Sequence, residues 1–308
     1  MRPRYRVVID NDFSGDPDDL FQLAHHVLSG SVEIPFVIGS HLAPGDVFDP
    51  SSHQADNAAA AARRLLALMG RDIPVYAGSN TGLPDPETPI RNAAVDALIH
   101  EALRTDTELP LFVALGAGLT ELASAVLLEP RIASRLTAIW IGGPEHRGLG
   151  LPFPLPDHLE YNLAIDIPAA RVVFNESQIS IWQVPRSTYR QALVSRAELE
   201  RRVRPLGPLG EFLADAVDDL AARAEAGGLA IGETYCLGDQ PLVLLTALHT
   251  AFEPDAASSH YDVIPTPLLS PDGWYRERAD GRPMRVYTRL DTRLMFEDMF
   301  AKFALFQG

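Results

Sequence analysis

Short apolar runs rich in β-branched and aromatic residues alternate with amphipathic helical patterns along most of this chain. That alternation predicts an α/β fold with an open, mostly parallel central sheet flanked by helices, in the manner of a Rossmann-like core. Arg6 to Ile9 reads as the first strand and stops at the acidic stretch Asp10-Asn11-Asp12-Phe13-Ser14-Gly15-Asp16-Pro17-Asp18-Asp19. A helix follows over Leu20 to Leu28, a strand over Ile34 to Ile38, an Ala-rich helix over Ala55 to Met69 and a short strand over Ile73 to Gly78. Helices over Ile90 to Leu103 and Leu119 to Leu127 bracket a strand over Pro110 to Leu115, and another strand runs from Ala138 to Ile141. The segment from Pro144 to His158 is punctuated by glycine and proline and reads as a long loop. A helix opens at Asp166, a strand covers Ile179 to Val184, and Ser195 to Ala224 is mostly helical with a break at Pro205 to Gly210. Asp239 to His249 reads as a helix, and the Pro-rich tail with Trp274 and Tyr275 as a β-hairpin. Neither repeat nor linker interrupts the pattern, so residues 1–308 are expected to form one domain.

Composition narrows the partners. The 308 residues carry 41 acidic against 26 basic side chains, a formal charge of -15 that disfavours nucleic acid and anionic membranes. The N-terminal apolar run is too short for a signal peptide and no run reaches membrane-spanning length, which points to a cytoplasmic protein. The single cysteine, Cys236, excludes an intramolecular disulfide and reads as a small buried hydrophobe.

The acidic loop is the main candidate for chemistry. Asp12, Asp16, Asp18 and Asp19 crowd the C-terminal end of a strand, the edge at which open α/β sheets bind ligands. Like charges held this close raise one another's pKa unless a cation neutralises them, and an all-oxygen donor set favours Ca²⁺ or Mg²⁺ over zinc. The competing reading is a solvated loop in which Asp16 or Asp18 caps the next helix. An EF-hand is excluded, because counting from Asp10 puts Phe21 where the closing glutamate must stand.

The loop resembles the DxDxxxDD motif of the inosine-uridine nucleoside hydrolase family, as Asp10-x-Asp12 followed by Asp18-Asp19 with two extra residues before the final pair. Further segments resemble the family in the same order. They are Gly116-Ala117-Gly118-Leu119-Thr120-Glu121, Ile141-Gly142-Gly143, Glu160-Tyr161-Asn162 with Asp166-x-Pro168-Ala169-Ala170, and Gly238-Asp239-x-Pro241-Leu242. The resemblance implies the nucleoside hydrolase fold and a Ca²⁺-dependent hydrolase of N-ribosyl bonds acting on a small nucleoside-like substrate. It implies Asp12 as metal ligand and base, Asp19, Asp239 and the carbonyl of Gly116 as further ligands, and Asp18, Glu160 and Asn162 as sugar-binding residues. Ser40 stands where the family tends to have asparagine and joins the substrate-binding candidates. A homodimer or homotetramer is implied on the same basis.

Two departures affect the base side. Gly238 replaces the histidine that often precedes the last aspartate, and the segment before Glu160 lacks the family's ribose-binding asparagine. A leaving-group acid would then come from His146, His158, Tyr235 or the Trp274-Tyr275 pair, or not be needed. The rival reading is a non-catalytic ribosyl-binding protein of the same fold, against which the retention of Asp12 speaks. A haloacid dehalogenase-type phosphohydrolase and a P-loop NTPase both fail for want of a mid-chain lysine, since Lys302 is the only one, and no G-x-S-x-G elbow supports a serine hydrolase.

Overall fold

In the computed structural model, residues 1–306 are described apart from 152–153, 156, 251 and 253–257. The strands are β1 (Tyr5–Asn11), β2 (Val32–Glu33), β3 (Val37–Gly39), β4 (Val75–Ala77), β5 (Leu111–Leu115), β6 (Leu136–Ile141), β7 (Ser180–Val184), β8 (Leu193–Ser195), β9 (Thr234–Cys236), β10 (His260–Pro265), β11 (Leu268–Leu269), β12 (Tyr275–Arg276) and β13 (Pro283–Arg289). The α-helices are α1 (Asp18–Val27), α2 (Gln54–Leu68), α3 (Ala93–Ala102), α4 (Thr120–Leu128), α5 (Tyr161–Ile165), α6 (Ile167–Arg171), α7 (Arg186–Tyr189), α8 (Arg196–Arg202), α9 (Gly207–Ala226), α10 (Pro241–Leu244) and α11 (Thr292–Leu305).

The main sheet runs β10-β13-β7-β6-β5-β1-β3-β4, with β2 also paired to β1. Every pairing in it is parallel except β10 with β13, as the alternating pattern predicts. Its central strands are buried on both faces. In β1, Val7 and Ile9 enter one core cluster and Val8 the other; in β5, Phe112 and Ala114 oppose Leu111, Val113 and Leu115. Residues of α1, α2, α9, α10 and α11 cover the first face, and those of α3, α4 and α6 the second. β1 lies between β5 and β3, so the chain departs from its C-terminal end in both directions and opens a crevice there.

Some expectations need correction. The strand expected over Ile34 to Ile38 is cut back to β3, with the short β2 lying before it, because Pro35 cannot donate to a ladder. The helix expected over Asp239 to His249 is confined to α10, where the Thr246 hydroxyl bonds back to the Leu242 carbonyl at 2.7 Å. The tail pairs β10 with β13 and β11 with β12, and it ends in the unanticipated helix α11, capped by Asp291 accepting from the Leu294 amide. The described part of 144–158 contains no helix or strand, as expected.

Candidate active site

The crevice at the end of β1 holds a cavity of about 260 Å³. Asp12 and Asp16 reach it from the β1–α1 loop, Asp18 and Asp19 from the first turn of α1, and Gly116 from the residue after β5. Ile141 closes β6, Glu160, Tyr161 and Asn162 stand at the start of α5, and Tyr189 ends α7. Cys236, Gly238 and Asp239 line it as well, together with Leu42 and Phe48. Of the sequence-derived candidates, Asp12, Asp18, Asp19, Gly116, Glu160, Asn162 and Asp239 therefore meet in one place. Ser40 stands outside the cavity, where its hydroxyl donates to the buried Asp10 and lies 3.5 Å from Glu121 Oε2.

Hydrogen bonds explain how so many acids are held. Asn11, buried between Asp10 and Asp12 in sequence, places its Nδ2 2.6 Å from Asp239 Oδ2 and 3.1 Å from Asp19 Oδ1, while its Oδ1 accepts from the Gly116 amide at 2.8 Å. Asp18 Oδ2 accepts from the Asp239 amide at 3.1 Å. A Cβ at Gly116 would fall 1.8 Å from Asp239 Oδ2, so only glycine lets the two walls approach. Glu160 caps α5: its Oε2 accepts from Gly143 at 2.6 Å and Leu163 at 2.9 Å, and its Oε1 from Asn162 at 3.2 Å and the Tyr189 hydroxyl at 2.9 Å. The Asn162 amide donates to the carbonyls of Gly116 at 2.9 Å and Ile141 at 2.8 Å, bridging the ends of β5 and β6.

Burial, reinforced by neighbouring carboxylates, raises the pKa of Asp12, Asp18 and Asp19 well above the ordinary range, and pushes Asp239 up to about 7. Burial also raises Glu160, in spite of its hydrogen bonds, and lifts the Cys236 thiol to about 12. Among the described residues, no group of three or more His, Cys, Asp or Glu side chains is already arranged around a metal position. The donor chemistry nonetheless fits a hard cation, because Asp12 Oδ2 and Asp19 Oδ2 are buried without a hydrogen-bond partner.

The leaving-group candidates are scattered. Tyr235 donates to Asp16 Oδ2 at 2.9 Å. The His158 carbonyl accepts from Arg186, and its side chain does not line the cavity. His146 stacks on Tyr275 and bonds Gln183; with Trp274 these two rings line a separate cavity of about 1120 Å³. The sequence reading passed over Asn11, Phe48, Tyr161 and Tyr189. Asn11, between two aspartates at a strand end, and Tyr161, inside the Glu160-Tyr161-Asn162 segment, had a local signal.

The inosine-uridine preferring nucleoside hydrolase family model matches residues 7–292. The chain belongs to that family. As a nucleoside hydrolase family member it is 36% identical over 114 residues to an inosine-uridine preferring nucleoside hydrolase of Leishmania major, and 36% identical over 94 residues to one of Crithidia fasciculata. Those alignments cover 37% and 30% of this chain but only 32% and 25% of the relatives, about a third of their length or less. Solved structures match it along nearly all of its length. A plant nucleoside hydrolase superposes with TM-score 0.72 at 20% identity, covering 98% of this chain and 99% of the other. A Bacillus anthracis inosine-uridine preferring nucleoside hydrolase does so with TM-score 0.67 at 19% identity, covering 97% and 99%. At these identities the likeness establishes the nucleoside hydrolase fold.

Proposed function

We propose that this chain hydrolyses the N-glycosidic bond of a ribonucleoside or related N-ribosyl compound, giving ribose and the free base. The observation that carries the reading is the convergence of Asp12, Asp18, Asp19 and Asp239, drawn from opposite ends of the sequence, on one cavity at the β1 strand end. Cleavage of such a bond builds positive charge on the sugar ring, and a cavity walled by carboxylates stabilises that charge as it develops. Asp12 accepts the proton of the attacking water, and Asp18 accepts from a ribose hydroxyl. Glu160 and Asn162 hold the 5′ side of the sugar; their bonds to Gly143, Leu163, Gly116 and Ile141 fix them to the sheet edge.

Ca²⁺ is the cofactor this reading calls for, held by Asp12, Asp19, Asp239 and the Gly116 carbonyl. When bound it lowers the pKa of water and neutralises the acid cluster. The partnerless oxygens of Asp12 and Asp19 support that assignment. The Gly116 carbonyl, already accepting from Asn162, has a second lone pair for it. One sheet collecting strands from β1 to β13 supports a single domain over 1–308. No helix of the described residues is long and apolar enough to cross a membrane, which fits the cytoplasmic location we favour. A homo-oligomer belongs to the same reading through the family resemblance.

The test is release of reducing sugar from purine, pyrimidine and nicotinamide ribosides with Ca²⁺ present, comparing the wild type with Asp12→Asn. Turnover lost in a variant that keeps its circular dichroism spectrum supports the assignment. Equal turnover in both proteins removes Asp12 from its role, and no turnover of any riboside by the wild type defeats the hydrolase reading.

A further inference from the structure

We infer that the preferred substrates carry a cationic leaving group, an N-ribosylpyridinium or similarly quaternised base; this rests on the hydrolase reading above and names its substrate class.

The cavity wall carries the argument. Its charged lining consists of Asp12, Asp16, Asp18, Asp19, Glu160 and Asp239, and no His, Lys or Arg among the described residues lines it. Even a bound divalent ion leaves this wall formally anionic, and an anionic enclosure of low dielectric concentrates cations. The hydroxyls within reach are already committed, since Tyr189 donates to Glu160 at 2.9 Å and Tyr161 to Asp46 at 2.6 Å. The uncharged part of the lining includes the apolar and aromatic side chains of Leu42, Phe48, Ile141 and Tyr161. Aromatic faces beside carboxylates recognise quaternary nitrogen through cation–π attraction, with no hydrogen bond required. A neutral purine or uracil leaves as an anion unless a group protonates it. Among the described residues no imidazole, ammonium or guanidinium group lines this cavity to do so.

A ribosylpyridinium removes the need. The C1′–N bond breaks with its electron pair going to the ring nitrogen, which changes from cationic to neutral, so the base departs without taking a proton. The water oxygen bonds to C1′, its proton passes to the base assigned above and then to solvent, and the products are ribose, neutral pyridine base and one proton.

The experiment compares kcat/KM of the Ca²⁺-supplemented enzyme for nicotinamide riboside, p-nitrophenyl riboside, inosine and uridine at low ionic strength. The p-nitrophenyl compound is neutral and leaves without an acid, so its ratio to nicotinamide riboside isolates charge. The expected result is a preference of about tenfold or more for the pyridinium, shrinking as salt screens the wall. Asp16→Asn should lower that ratio. A binding readout accompanies it: the N-methylpyridinium cation should inhibit at lower concentration than neutral pyridine. Inosine or uridine turned over as fast as the pyridinium, or a neutral p-nitrophenyl riboside preferred to it, overturns the inference and leaves the hydrolase reading standing. No turnover of any of the four overturns both.

Discussion

Replacing Asn11 with alanine should destabilise the fold more than any other single polar truncation at this strand end. The side chain makes close contacts to Asp239 Oδ2 and Asp19 Oδ1 and accepts from the Gly116 amide, all in fully buried surroundings. Hydrogen bonds to charged groups contribute about 1.5–3 kcal/mol each, and stranding a buried acceptor costs about 1–3 kcal/mol. The Gly116 amide has a second acceptor in the Asp10 carbonyl at 3.1 Å, so that bond is partly replaced. The two carboxylate contacts alone then predict a loss of about 3–6 kcal/mol in chelator, or roughly 5–9 °C in Tm for a chain of this size. Urea unfolding of wild type and variant, in EDTA and in excess Ca²⁺, measures it. The loss should be smaller in Ca²⁺, because the ion takes over the charge-balancing role of the amide. Asn11→Asp, which keeps the shape but adds a fifth carboxylate beside Asp12, Asp18, Asp19 and Asp239, should be worse still at pH 8 than at pH 5. A loss below about 1 kcal/mol in EDTA would refute the view that this amide holds the acid cluster together.

Other consequences can be measured separately. Gly116→Ala drives a methyl group to 1.8 Å from Asp239 Oδ2; it should cost about 1–3 kcal/mol and most of the riboside hydrolase activity, and an active variant of wild-type Tm would contradict the close approach. Asp12, Asp18, Asp19 and Asp239 have folded pKa values above the unfolded value near 4, so their protonation stabilises the fold fully below about pH 4 and that stability is lost as pH rises through the folded values, about 7 for Asp239. Thermal melts should therefore show a Ca²⁺-induced rise in Tm that grows from pH 5 to pH 8, and a pH-independent increment would speak against ligation by these groups. Tyr189→Phe removes one of four donors to Glu160; it should raise KM for riboside several-fold while changing Tm by only about 1–3 °C, and an unaltered KM would disconnect Glu160 from substrate.

The parts of the site that were legible in the sequence were those with local patterns. Asp12, Asp18 and Asp19 share one loop, so their crowding is visible without a fold, and Asp239 announces itself through the Gly238-Asp239-x-Pro241 segment. Glu160 and Asn162 were legible as candidates, but their engagement with Gly143, Gly116 and Ile141 depends on how α5 crosses the ends of β5 and β6. Tyr189 had no signal, because the four-residue helix α7 is too short to show a period and only the tertiary fold aims it at Glu160. The same holds for α11, whose buried stripe of Met295, Met299 and Phe303 is blurred by Leu294, Phe296 and Leu305 on other faces. The strand break at Pro35 was readable in principle, since proline cannot join a ladder.

The contact between Asn11 and Asp239 spans 228 positions of sequence. Contacts that distant are slow to form, because a long loop must close before they reward the chain. The main sheet cannot finish early either, as β7 gains its partner β13 only once Pro283–Arg289 has been made. During synthesis the acidic loop is made well before its opposite wall, which Asp239 completes 228 positions after Asn11. A nascent chain that has not reached Asp239 therefore exposes the acids without assembling the cavity, and closure of its wall waits on that distant segment.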